Sequence, residues 1–502
     1  MIFWLAFLIC SAGIAGLFFL DRDKSVRNSK ALWLPVIWLW LIGSRPVSVW
    51  LGTGNSSVGA LASTLDGNPM DAAIYATLLG IGVVVLLRRK KRTNAFLAAN
   101  GPIIVYFLYC LISVVWSPFP GPACKRWIKA LGDLVMVLIL LTDGQPVAAL
   151  RRVYSRVGFI LLPFSVVLIR YSDLGRGYDI DGNPMITGVT TNKNSLGLIV
   201  YLISLGALWS VRALLKDKKA PNRTRRLVAQ GTLLIFGIEL LQMAHSATSI
   251  ACFILGGGLM LATGLRAIRK RPARVHALCL GIALVGGLAM LFGGGSALSS
   301  ALGRGSGLSG RTDIWKCSIA AADSPVLGTG FESFWNANAH KVAQCLTRLG
   351  FLDMSNLVSA HNGYLEVYLD IGLVGLCLMA LILISGYRHA GEAFRRDSEL
   401  GGLILAYLVT GVFYSVTEAG FRLMSPSWIF LLLALVSANC VASGLFGGKE
   451  RKTSASVASA ASSMPVTDAF IPVRESVYPS RRRLNSIEIA RGENLCQSFQ
   501  HR

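Results

Sequence analysis

Apolar runs of about 17–25 residues recur along almost the entire chain. Each is long enough to cross roughly 30 Å of hydrocarbon at about 1.5 Å of helical rise per residue. In a soluble domain such runs would break into shorter amphipathic pieces, because each helix there keeps one face toward water. The charge supply points the same way. Asp, Glu, Lys and Arg make up 15% of the chain, against about 25% in soluble proteins. The expected fold class is an all-α polytopic membrane protein with about 12–13 transmembrane helices.

Thirteen candidate spans lie near 2–20, 31–50, 71–87, 96–116, 125–141, 153–170, 194–211, 227–243, 247–265, 275–293, 363–386, 400–417 and 423–445. The first has no basic residues ahead of it and Asp21-Arg22-Asp23-Lys24 behind it. That charge order is the reverse of a cleaved signal peptide, so it reads as a retained span with its N-terminus outside. One set of alternate connections holds Arg22/Lys24/Arg27/Lys30, Arg88 to Arg92, Arg151/Arg152, Arg212 to Arg226, Arg266 to Arg274 and Arg388/Arg395/Arg396. The other set, at 51–70, 117–124, 171–193, 244–246 and 418–422, holds only Arg176, Lys193 and Arg422. The positive-inside rule places the first set in the cytoplasm. The expected location is the bacterial inner membrane, N-terminus periplasmic and C-terminus cytoplasmic. The net charge of +23 thus orients the chain in a lipid bilayer. Its scatter over short clusters argues against a nucleic-acid partner.

The remaining outer connection, 294–362, is far longer than the others. Its Trp315, Phe331, Phe334, Trp335 and Phe351 are too many aromatics for disorder, so a folded loop over the outer mouth of the bundle is expected. The domain map that follows is 1–293 for ten spans, 294–362 for the loop and 363–445 for three spans. A basic, Ser/Ala-rich cytoplasmic tail, 446–502, is expected to be disordered. Cys317 and Cys345 both lie in the loop, where the outer compartment permits a disulfide between its segments.

Both ends of the loop carry polar residues of chemical interest. Ser309-Gly310 precede a predicted helix from Thr312 to Ala322, which sets Arg311 at its entrance. A guanidinium there can grip a diphosphate through paired N–H donors. On the residues alone, a snorkelling or salt-bridged surface residue, with Asp313 as its partner, is the stronger reading. At the other end His361-Asn362 immediately precede a span whose Glu366 and Asp370 share one helical face. Carboxylates at shallow membrane depth are costly and therefore candidates for function. Histidine suits proton acceptance from a hydroxyl near neutral pH, and also suits helix capping. Both readings of His361 stay open on the residues alone. No His/Cys cluster has zinc-site spacing.

The pattern His361-Asn362, nine residues, Gly372-x-x-Gly375 resembles the outer-loop signature of the O-antigen ligase and polysaccharide polymerase superfamily. Gly310-Arg311-x-x-x-Trp315, Pro325-x-x-Gly328-x-Gly330 and Phe334-Trp335 resemble the same loop. Thr191-Asn192-Lys193-Asn194-Ser195-Leu196-Gly197 is similar to an Asn-Lys-Asn element of its exopolysaccharide-polymerase branch, and Glu418 with Ser425-Pro426-Ser427-Trp428 also fits. The resemblance implies a GT-C-like, metal-independent glycosyltransferase that needs no cofactor. Its donor would be an undecaprenyl-diphosphate-linked oligosaccharide, its acceptor a glycan, and its further partners polysaccharide export and assembly proteins. Arg311 would neutralise the leaving diphosphate and His361 would orient or deprotonate the acceptor hydroxyl. Asn194, Asn362, Glu366 and Glu418 would contact substrate. Asp179-Ile180-Asp181 has the spelling of a metal motif, but its Gly-rich setting and the resemblance disfavour that reading.

One departure stands out. Where relatives place a basic residue at the turn Ala244-His245-Ser246-Ala247, this chain has Ala247. A second diphosphate-binding cation must then come from elsewhere, with Lys193 first, Arg176 and Arg422 behind it, and His245 as a compensating group. Polymerisation of repeat units is the leading function expected, with ligation of a finished glycan to lipid A–core as the alternative. A lipid-linked oligosaccharide flippase is the alternative of another class, kept open by Glu239 inside a span.

Overall fold

The computed structural model describes residues 2–23, 26–53, 68–178, 182–271, 273–281, 309–351, 357–422 and 424–446. The Asp179-Ile180-Asp181 motif, the first part of the long loop, most of the tenth expected span and the tail lie outside them.

The protein is an all-α polytopic membrane protein. Among the described residues, seven helices are long and apolar enough to cross a bilayer: Ile2–Leu20, Pro69–Arg88, Pro146–Tyr171, Lys193–Lys216, Arg223–Ala244, Gly363–Arg396 and Ser398–Thr417. Shorter apolar helices occupy Lys30–Ile42, Ala247–Thr263 and Pro426–Ala442. A 22-residue helix, Pro120–Leu141, carries Lys125, Arg126, Lys129 and Asp133 along its length. Every expected span with described residues therefore coincides with helix, but two differ in form. The span expected at 96–116 is a pair of helices, Lys90–Ala98 and Gly101–Trp116, bent by 89°. The bend falls at Asn100-Gly101-Pro102, where proline cannot continue an incoming helix. The span expected at 31–50 stops at Ile42 and resumes as Val47–Trp50, because Gly43 and Pro46 interrupt it. Counting the bent pair as one crossing gives up to eight qualifying helices among the described residues, against thirteen expected over the whole chain.

Helix starts follow the local chemistry. Pro opens the helices at Pro69, Pro120, Pro146 and Pro426, positions whose N–H groups lack intrahelical partners anyway. Asn68, Asn192 and Asn362 each cap a helix by accepting from backbone N–H groups. The Lys193–Lys216 helix packs on Arg223–Ala244, and the Gly363–Arg396 helix packs on Ser398–Thr417 and Pro426–Ala442. Trp38, Trp209 and Trp428 are fully buried. Asp133 is buried too, and accepts from Trp38 Nε1 and the Met424 backbone N–H, both at 2.9 Å. Apolar side chains also cover the outside: Ile2, Trp4, Leu8, Ile235, Ile254 and Ile384 are exposed. Such a surface is stable against lipid, not water.

The expected folded loop has its own apolar core. The helices Ser309–Ala320 and Phe334–Arg348 enclose Phe334, Trp335, Val342 and Leu346 against Leu365 and Leu369 of the Gly363–Arg396 helix. Cys317 and Cys345 are joined by a disulfide, with Cα atoms 5.7 Å apart. The first loop helix begins at Ser309, earlier than expected, so Arg311 lies within its first turn.

The glycine motifs meet in space. The Gly363–Arg396 helix is broken at Ile371 and Gly372, where Gly372 has φ of 67°. The break leaves carbonyls and N–H groups without helical partners, and the 325–330 segment satisfies them. Leu369 and Asp370 carbonyls accept from Thr329 and Gly330, while Leu373 and Val374 donate to Pro325 and Val326. Irregular backbone at membrane depth is tolerated where protein buries it in this way. A Cβ on Gly372 would lie 2.1 Å from the Val326 oxygen, and one on Gly328 would lie 2.4 Å from that of Asp370.

Candidate active site

Glu418 caps the Ser398–Thr417 helix and is almost fully buried. Its Oε1 accepts from Arg311 Nη2 at 3.0 Å and from Asn194 Nδ2 at 3.1 Å. Its Oε2 lies 3.3 Å from His361 Nδ1. Its backbone oxygen accepts from Gly363 N–H at 3.0 Å. A single carboxylate thus joins three residues singled out in the sequence from three distant segments. Arg311 Nη1 also donates to the Thr417 carbonyl. Burial pushes the Glu418 carboxyl up, but its bond to His361 and the Arg311 charge outweigh this and hold it below the usual carboxylate range.

His361 has φ of 52°, a strained conformation for a residue with a Cβ. It is held there by its N–H on Ser359 Oγ at 3.1 Å and by the Glu418 contact. With Nδ1–H donating to a carboxylate, Nε2 carries the free lone pair. The side chain is 40% exposed, so the imidazole is accessible to an incoming group.

The remaining residues fall into two sets. Lys193, the first residue of the Lys193–Lys216 helix, adjoins Asn194 and is half-buried. The turn at His245, with φ of 47°, leads into Ser246 and Ser249, which crowd Gly197 so closely that a Cβ there would meet Ser249 Oγ at 2.6 Å. Thr248 reaches Thr417 at 3.1 Å. Lys193 and His245 therefore border the Glu418 cluster. Arg176 sits in a two-stranded antiparallel hairpin, Arg176–Tyr178 with Pro184–Ile186, and donates to the Ile169 carbonyl. Among the described residues it forms no hydrogen bond or ion pair with that cluster.

Asn362, Glu366 and Arg422 carry the architecture. Asn362 Oδ1 accepts from Tyr364 and Leu365 N–H at 3.1 Å each, so it is committed to capping. Glu366 is buried with both oxygens engaged, by Trp335 Nε1 at 2.8 Å and by Ser359 Oγ and Ala360 N–H. Asp370, one turn on, accepts from Ser333 and Phe334 N–H at the start of the second loop helix. Arg422 pairs with Glu332 at 3.4 Å and donates to the Val358 carbonyl. Burial draws its proton off, but the Glu332, Glu366 and Asp370 charges outweigh this and hold it above the ordinary arginine value. Glu332 and Arg126, whose guanidinium reaches the Glu332 carbonyl and Asn336 Oδ1, were missed by sequence reasoning. Neither sits in a motif, and only tertiary packing pairs them.

Among known families, residues 231–380 match the O-antigen ligase family. This part of the chain, under a third of its length, is similar to that family. The match includes His245, Arg311, His361 and Glu366, while Lys193, Asn194, Glu418 and Arg422 lie outside it. The chain is also similar to the exopolysaccharide production protein ExoQ of Rhizobium meliloti (strain 1021), 27% identical over 292 residues. That similarity covers 57% of this chain and 64% of ExoQ, so the chain matches less than two thirds of its relative's length. The matched segment supplies both the arginine and the histidine of the cluster, and the Ser398–Thr417 helix that follows it supplies the carboxylate between them.

Proposed function

We propose that the protein is a glycosyltransferase of the inner membrane that polymerises undecaprenyl-diphosphate-linked repeat units into exopolysaccharide, working on the periplasmic side. The observation that carries this reading is the pairing of Arg311 and His361 through the two oxygens of Glu418. A guanidinium has five N–H donors. With Nη1 on Thr417 and one Nη2 donor on Glu418, three remain for an anion while the group itself is fixed. Fixed donors cost no reorganisation as charge develops on a leaving group.

The acceptor hydroxyl oxygen attacks the anomeric carbon as the bond from that carbon to the diphosphate oxygen breaks. The electron pair leaves with the lipid diphosphate, which Arg311 neutralises, with Lys193 at the rim as the second cation. The hydroxyl proton passes to His361 Nε2, and Glu418 stabilises the imidazolium that results. Glu366, Asp370 and Arg422 hold the loop over the site. A diphosphate leaves readily, so clustered cations take the place of a metal ion.

The test supplies purified protein with a lipid-linked oligosaccharide and scores chain growth on the lipid. Wild type elongates. Arg311→Ala and His361→Ala keep the fold and each lose activity by about 10²–10⁴-fold. Full activity in both variants would sink the mechanism. Ligation to lipid A–core is the second reading, favoured by the description of the matched family. Offering lipid A–core as acceptor in the same assay separates the two.

A further inference from the structure

At the other end of the bundle an open cavity of about 670 Å³ is lined by Arg27, Arg88, Arg89, Lys90, Lys91 and Arg92, with Asp143 as its carboxylate. The Pro120–Leu141 helix fixes its position. Near its start Arg126 bonds Glu332 and Asn336 of the loop layer, and the helix ends beside Thr142 and Asp143. At about 1.5 Å per residue, that separates cavity and candidate site by roughly the thickness of a bilayer core.

The floor of the cavity is built. Arg89 donates to the Ile139 carbonyl at 2.9 Å and to Thr142 at 3.2 Å, and lies 3.9 Å from Asp143. Asp143 is buried, and its oxygens are taken by Asn28, by the Ser29 N–H and by the Gln145 N–H. One spent carboxylate therefore faces six cations. Arg27, Arg88, Lys90 and Lys91 make no ion pair among the described residues. The Lys90–Ala98 helix lies at 89° to the Gly101–Trp116 helix that follows it, and its basic first turn lines the cavity.

A second observation sets the chemistry of the ligand. The last turns of the Pro69–Arg88 helix leading to the cavity expose Ile81, Val84 and Leu87, spaced by three and so on one face. An apolar stripe ending at a cationic hollow matches an amphiphile with a phosphate head. We propose that the cavity binds the headgroup of an anionic phospholipid of the surrounding bilayer, with its acyl chains along Ile81, Val84 and Leu87.

The test is native mass spectrometry of the full chain in detergent, with equimolar phosphatidylglycerol and phosphatidylcholine. Wild type retains phosphatidylglycerol preferentially. Lys90→Gln/Lys91→Gln weakens that retention about 25-fold, at roughly fivefold for each charge removed near a membrane surface. Lys218→Gln/Lys219→Gln, two exposed lysines at the same end but outside the cavity, leaves it unchanged. Excess glycerol phosphate fails to displace the lipid. Photoactivatable phosphatidylglycerol on wild type cross-links within residues 81–92, a readout independent of any variant. The proposal is overturned by equal retention of both lipids in wild type, by equal losses in the two double variants, by displacement with glycerol phosphate, or by cross-links confined elsewhere.

Discussion

Glu418 meets Arg311 on one oxygen and His361 on the other, so one carboxylate sets the separation of the two groups proposed to do the chemistry. Glu418→Gln tests this with little change in shape. If the amide oxygen keeps Arg311, its NH2 faces His361 Nδ1, which must then accept, and the proton moves to Nε2. The base is lost. The expected result is a fall in kcat of about 10²–10⁴-fold, the usual worth of a general base, with a much smaller change in KM for the lipid donor. The same carboxyl predicts a pH dependence. Its folded value is held below the ordinary one, so its contribution to stability is fully present above the unfolded glutamate value of about 4.3 and fades as pH falls through the lower folded value. Thermal unfolding of wild type and Glu418→Gln should therefore differ at pH 7 and converge toward acid. A difference that stays constant or grows on acidification contradicts the assigned pairing. The individual residues were legible in the chain because each stands in a recognisable motif. That Glu418 joins the other three was not legible, since Asn194, Arg311, His361 and Glu418 lie up to 224 positions apart.

At the scale of elements, the glycine pattern was visible in sequence without its reason. Gly328, Gly330 and Gly372 serve one joint, in which a loop segment satisfies the orphan groups of a broken span. No periodicity reveals such a break, because Ile371 and Gly372 sit inside a run that is apolar enough to be helix throughout. Gly372→Ala must place a Cβ against the Val326 oxygen at a backbone conformation almost reserved for glycine. The expected cost is about 2–5 kcal/mol, from backbone strain plus overpacking, seen as a lower Tm and lost chain growth together. The disulfide makes a softer prediction. It closes a loop of 28 residues, which in the chain-entropy account is worth about 3–4 kcal/mol. Cys317→Ser/Cys345→Ser should lower the unfolding temperature and make it insensitive to reductant, whereas wild type should lose the same amount on reduction. Equal Tm values for wild type with and without reductant would remove the bridge from the account.

On the scale of the whole molecule, two readings of the same chain diverge. Charge alternation asks for thirteen crossings, while seven to eight helices meet a length-and-hydropathy test among the described residues. One expected span, 275–293, lies mostly outside the described residues, and the rest of the difference lies in helices that the bundle shortens or charges. Lys30–Ile42, Ala247–Thr263 and Pro426–Ala442 are short, and the Pro120–Leu141 helix buries Asp133 against Trp38. Such helices are shielded by neighbours, so packing replaces the apolar length that a lone span would need. The termini of the packed helices fall into two groups that keep the alternation of charge. Arg311, His361 and Glu418 gather at one end, while Arg212 and Lys216 meet Glu399, and Arg226 meets Asp23, at the other. The proposed orientation puts the first end outside the cell membrane and the second inside. Impermeant maleimide should therefore label Ser324→Cys in intact spheroplasts, beyond the background of the parent chain. Lys218→Cys should react only after the membrane is opened. Because one span more or fewer between them would reverse a single reporter, the pair tests the parity of crossings as well as direction. Labelling of Lys218→Cys in intact spheroplasts would put the basic end outside and withdraw the periplasmic assignment of the active site, while leaving the Glu418 cluster itself untouched.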